Sequence, residues 1–120
     1  MADIRDFRDL IAWQKARQLV ALAYRLSGKF PPDERFGLCL QMRRAAVSVP
    51  SNIAEGYGRG SREDYSRFLK IARGSLYELQ TKSILSVDLG FAAEADCNEF
   101  EAVRNDCSRL LHGLIQSLRA

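Results

Sequence analysis

Apolar residues recur at spacings of three and four along most of the chain, and four stretches keep that rhythm long enough to predict helices. In the first, roughly residues 9–27, Leu10, Trp13, Ala16, Val20, Ala23 and Leu26 form one face, so Trp13 is expected to be buried against the third or fourth helix. The second, roughly 33–56, aligns Leu38, Met42, Ala45, Val49 and Ile53, with Asp33 and Glu34 suited to its positive N-terminal end. Pro50 falls inside this stripe. The backbone donor it removes predicts a kink or local break near Val47, compensated by Ser48 or Ser51. The third helix, roughly 62–88, opens with a capping serine, Ser61, and with Asp64 in the reciprocal position of a capping box. Tyr65, Leu69, Ala72, Leu76 and Leu79 follow, continued less cleanly through Ser83 and Val87. The fourth, roughly 95–118, uses Phe100, Val103, Cys107, Leu110 or Leu111, Leu114 and Leu118. Glycine and proline punctuate the chain at 28–33, 56–61 and 89–91. Such short loops force consecutive helices to run antiparallel, so the pattern predicts one domain over 1–120, an all-α, up-down antiparallel four-helix bundle.

Composition agrees with helix and narrows the class. Leu and Ala number 29 against 12 for Val, Ile and Thr together. With 47% apolar and 28% charged residues the chain is suited to a packed core. The apolar runs are too short for a signal peptide or a spanning helix, so no membrane partner is expected. Three unpaired-looking cysteines, Cys39, Cys97 and Cys107, read as buried or half-buried thiols and point to the cytoplasm. His112 is the only histidine, which leaves no metal cluster and no Ser-His-Asp triad; no cofactor is expected. Leu22, Leu40, Ile71 and Ile84 lie off the main stripes, more apolar surface than one core can hide, and predict association with further copies.

A polar stripe runs beside the apolar one on the second helix: Gln41, Arg44, Ser48, Asn52, Glu55 and then Arg59. An enzyme reading makes Glu55 a general base assisted by Asn52 or Arg44. The structural reading has these groups satisfy one another and a facing set, Arg73, Ser75 and Glu78, in a polar seam between helices or subunits. No constellation of nucleophile, base and metal ligand favours the enzyme. The charge is local: residues 41–73 hold seven basic and three acidic side chains, an excess of +4 in a chain whose net charge is +3. Arginine supplies 14 of the 18 basic residues, and its planar fork suits phosphate. Arg43, Arg59, Arg62, Arg67 and Lys70, with Tyr57 and Tyr65 between them, are therefore candidate contacts to RNA or DNA. A solvated face with intrahelical pairs such as Glu63 with Arg67 is the competing reading.

Phe7-Arg8-Asp9-Leu10 with Trp13-Gln14-Lys15-Ala16, Phe30-Pro31, Gly37-Leu38 with Gln41, Ser48-Val49-Pro50-Ser51-Asn52-Ile53-Ala54-Glu55-Gly56, Phe68-Leu69, and Gly74-Ser75-Leu76 with Glu78-Leu79 occur in this order. In these motifs the chain resembles the bacterial four-helix-bundle family encoded in intervening sequences of large-subunit ribosomal RNA genes. The resemblance covers Phe7 to the last helix. It implies a ring-like homopentamer with no recognised catalytic activity, and kinship with the accessory proteins of diversity-generating retroelements, which are thought to bind nucleic acid and the reverse transcriptase. A protein-binding scaffold without nucleic acid is the alternative function.

Overall fold

In a computed structural model, residues 3–119 are described, and their elements are four helices: α1 (Ile11–Ser27), α2 (Leu38–Gly58), α3 (Arg62–Asp88) and α4 (Asn98–Ser117). Short 3₁₀ turns, Phe7–Asp9, Pro32–Glu34 and Glu94–Cys97, precede α1, α2 and α4, and no strand occurs among the described residues. Each helix packs on its chain neighbours and α1 also packs on α4, so the four close into an elongated bundle of 45 × 26 × 21 Å.

Local chemistry explains the boundaries. Ser61 has extended backbone, and its Oγ accepts the Asp64 N–H at 3.2 Å, the cap expected from sequence. Asp64 does not complete a capping box; its carboxylate turns to Arg59 and Arg67. α2 begins at Leu38 rather than near residue 33, because Pro32–Glu34 tightens into a 3₁₀ turn and Glu34 Oε1 then accepts the Leu38 N–H at 3.0 Å. The local break expected near Val47 is absent: α2 runs unbroken through Pro50. Ser48 is engaged with Ser75 and Asn52.

The predicted stripe of α2, Leu38, Met42, Ala45, Val49 and Ile53, is buried throughout. On α1 the buried face keeps Ala16, Ala23 and Leu26 of the predicted stripe but takes Ala12 and Leu19 in place of Trp13 and Val20. Trp13 is thereby only half-buried, set edge-on to Phe7 at 5.2 Å with the Arg17 guanidinium over its ring, which corrects the expectation of full burial. On α4 the buried line is Phe100, Arg104, Cys107, Leu111 and Ile115, so an arginine occupies a core position. It reaches Glu101 at 3.2 Å and Asn105 Oδ1 at 2.7 Å.

α2 and α3 pack tightly at Gly56. A Cβ there would stand 2.8 Å from Phe68 Cβ and 3.2 Å from the Tyr65 carbonyl oxygen, so only glycine fits without moving a backbone. The three cysteines are buried and free, and burial pushes the Cys107 thiol up to about 12.

Candidate nucleic-acid interface

The cationic candidates separate into two groups along the bundle. Arg43 is half-buried and works as a staple between α1 and α2: it donates to Ser27 Oγ at 2.8 Å and to the Tyr24 carbonyl, and lies 4.5 Å over the Tyr24 ring. It stands 16 residues, about 24 Å of helix, from Arg59. Arg43 therefore does not share a surface with the other four.

Those four gather at the α2–α3 hairpin. Arg59 closes α2 and Arg62 opens α3. Asp64 pairs with Arg59 at 3.7 Å and Arg67 at 3.4 Å. Phe68 lies beneath both guanidinium groups, 5.3 Å from Arg59 and 4.6 Å from Arg67. One carboxylate and one aromatic ring thus fix two arginines side by side, leaving one net positive charge in the triad. Arg62, Arg67 and Lys70 then line an open groove with Glu63, Ser66 and Leu118, where the start of α3 meets the end of α4. Among the described residues no carboxylate pairs with Arg62 or Lys70.

Tyr57 and Tyr65 lie behind this surface, packed edge-on to each other at 6.0 Å. The Tyr65 hydroxyl is buried without a hydrogen-bond partner, and burial first, then the Tyr57 hydroxyl, pushes its pKa up to about 12. Both rings support the hairpin from within.

Of the polar stripe expected on α2, Ser48 and Asn52 bond each other, and Ser48 reaches one member of the facing set, Ser75. The Ser48 and Ser75 hydroxyls share a hydrogen bond of 2.8 Å, and Asn52 Nδ2 donates to the Ser48 carbonyl at 2.8 Å and hydroxyl at 2.9 Å. Gln41, Arg44, Ser75, Glu78 and Lys82 line the groove above this contact. Arg44 and Glu78 face the same groove without closing to an ion pair, and Glu55 is exposed. Arg73 does not join the seam. At 100° per residue it points about 200° away from Ser75, and it lines the groove between α3 and α4 with Tyr77, Ser108, Arg109 and His112. Sequence reasoning missed this second cluster because its members come from two helices that only the fold brings together.

No helix among the described residues is long and apolar enough to cross a membrane. No curated protein matches the chain. A solved structure from Bacteroides thetaiotaomicron, a protein of unknown function from the S23 ribosomal protein family, superposes with a TM-score of 0.74 at 20% identity, over 92% of this chain and 100% of that one. It shows the same fold. The model of the 23S rRNA-intervening sequence protein family matches residues 8–113, nearly the whole bundle, and the chain belongs to that family.

Proposed function

We propose that this protein is a non-enzymatic, cytoplasmic, oligomeric protein that binds RNA or DNA phosphates through the arginine-rich surface at the α2–α3 hairpin. The observation that carries the reading is the hairpin itself: Arg59 and Arg67 are held over Phe68, beside Arg62 and Lys70, which have no carboxylate partner among the described residues. Preorganised guanidinium groups lose less freedom on meeting a phosphate than free ones do. One copy offers too little charge for tight binding, whereas a pentameric ring, the assembly implied by the family resemblance, would repeat the patch about its axis. Ile11, Phe36, Ile84 and Leu89, each more than half exposed, supply apolar surface for contacts between copies. That same surface supports the second reading, a protein-binding scaffold.

The test is a titration of labelled RNA and DNA into wild type and an Arg59→Ala, Arg62→Ala, Arg67→Ala triple variant of unchanged oligomeric mass. Binding is expected to weaken steeply with salt, and the variant to lose roughly 0.7 to 0.9 of logarithmic slope per phosphate contact removed. Equal affinity and slope in both proteins, or no binding by wild type at low salt, leaves the scaffold reading. Light scattering is expected to report several times 13.5 kDa, and a monomer at micromolar concentration removes the ring.

A further inference from the structure

The groove between α3 and α4 continues from the hairpin. On α3, Arg62, Ser66, Lys70, Arg73 and Tyr77 fall within about 80° of one another at 100° per residue, a single stripe about 22 Å long. On α4, Ser108, Arg109 and His112 face the upper part of that stripe across an open groove of about 570 Å³. Its walls carry two guanidinium groups, a hydroxyl, a phenol and an imidazole, which keeps an N–H donor in either charge state.

The carboxylates around it are few. Asp106 pairs with Arg109 and lies 3.6 Å from Lys15 Nζ, while Arg73 has no carboxylate partner among the described residues. Tyr77 is 63% exposed and its ring packs in no aromatic pair among the described residues. Beyond it the groove changes sign, lined by Asp88, Glu94 and Glu101, so a polyanion would be confined to the lower half. A stripe of this length spans roughly six phosphates at the 3.4 Å spacing of one duplex strand, and fewer of an extended strand.

We propose that this lower half of the α3–α4 groove is a track for a single strand of RNA or DNA, with phosphates held by Arg73, Arg109 and His112 and a base stacked on Tyr77. The inference rests on the reading of the hairpin as a phosphate-binding surface and extends it with a strand preference. A phosphate patch alone takes duplex and single strand alike. An exposed phenol ring on the wall of a cationic groove rewards only a base free to leave its stack.

The test uses the full chain and labelled 12-nucleotide RNA, 12-nucleotide DNA and the corresponding DNA duplex. Tyr77→Leu is expected to weaken both single strands at least fivefold and the duplex less than twofold. Arg73→Gln with Arg109→Gln is expected to weaken all three and to lower the salt slope, whereas Lys82→Gln, which removes a charge outside the groove, leaves binding within twofold. Single-strand binding unchanged by Tyr77→Leu, or equal losses on strand and duplex, overturns the track. Loss of binding in the hairpin triple variant with no loss in the groove variants also overturns it and leaves the hairpin reading standing. Absence of binding by wild type removes both.

Discussion

α3 is one helix with two contrasting halves. Around its first half the cations point outward: Arg59 and Arg67 lie over Phe68, and Arg62, Lys70 and Arg73 line open grooves. Around its second half the α3–α4 groove is rimmed by Asp88, Glu94 and Glu101 and Arg104 of α4 is turned inward, while Lys82 faces the other groove, between α2 and α3. The core differs in step. Phe68, Leu69, Ala72 and the close contact at Gly56 seal the first half; Leu76 and Leu79 carry the apolar line past the midpoint, and the last two turns bury Ser83 and Ser86 instead, Ser86 Oγ donating to the Ser83 carbonyl at 2.7 Å. A net charge of +3 conceals this division. The lesson is that the sign of a surface belongs to a stretch of groove, and the apolar packing beneath decides which cations are free to face water.

The comparison is broken most directly in the core. Leu69→Ala, at a position with no exposure, is expected to cost about 2–5 kcal/mol, while Ser83→Ala in the second half is expected to cost about 1 kcal/mol or less. Urea unfolding measures both, and equal losses would show the halves to be packed alike. Gly56→Ala comes next. The methyl group meets Phe68 Cβ and the Tyr65 backbone, so the expected cost of about 1–3 kcal/mol outweighs alanine's helix preference of roughly 1 kcal/mol. A stabilised variant would show that α2 and α3 can separate freely.

Tyr65→Phe acts in the opposite direction. Deleting a buried hydroxyl that has no partner is expected to stabilise by about 1 kcal/mol, raising Tm by about 3–5 °C. Its pH signature follows from the raised pKa. From about pH 10 to about pH 12 the unfolded chain releases the phenol proton while the folded chain keeps it, so stability falls as pH rises through that window. The phenylalanine variant is expected to fall less steeply, and an unchanged slope would contradict burial of the hydroxyl. The smallest structural effect is expected for Asp64→Asn, below about 1 kcal/mol because both of its ion pairs are exposed. The same change removes the one carboxylate between Arg59 and Arg67, so nucleic-acid affinity at low salt is expected to rise severalfold. Unchanged affinity would count against the hairpin as a phosphate-binding surface.

Features decided within one turn of chain were legible in the sequence. Ser61 caps because the hydroxyl and the Asp64 N–H are three residues apart, and the α2 stripe is buried because its spacing alone sets its face. Misreadings arose where size or a distant partner decides. Trp13 and Val20 look like the centre of α1, but the residues just before them, Ala12 and Leu19, face the core, and Trp13 and Val20 flank it. Arg43 counts as a free charge until α1 brings Tyr24 and Ser27 to it. Arg104 is hidden in a helical rhythm that treats only apolar residues as interior. The angle between Arg73 and Ser75 was available from helix geometry alone, whereas the company of Arg109 and His112 required the fold.

The close approach at Gly56 also bears on the order of events in folding. Its contacts with Tyr65 and Phe68 span only nine and twelve residues, a closure that takes on the order of 10–100 ns for a flexible chain, whereas docking α1 on α4 joins the chain's two ends. The helical hairpin of α2 and α3 is accordingly expected to form the early nucleus, with α1 and α4 condensing onto it. In refolding kinetics Leu69→Ala should slow folding, and Leu111→Ala should chiefly hasten unfolding; the reverse pattern would place the nucleus at the chain ends. The glycine that lets two backbones touch in the native state would then also set how soon the chain begins to acquire its shape.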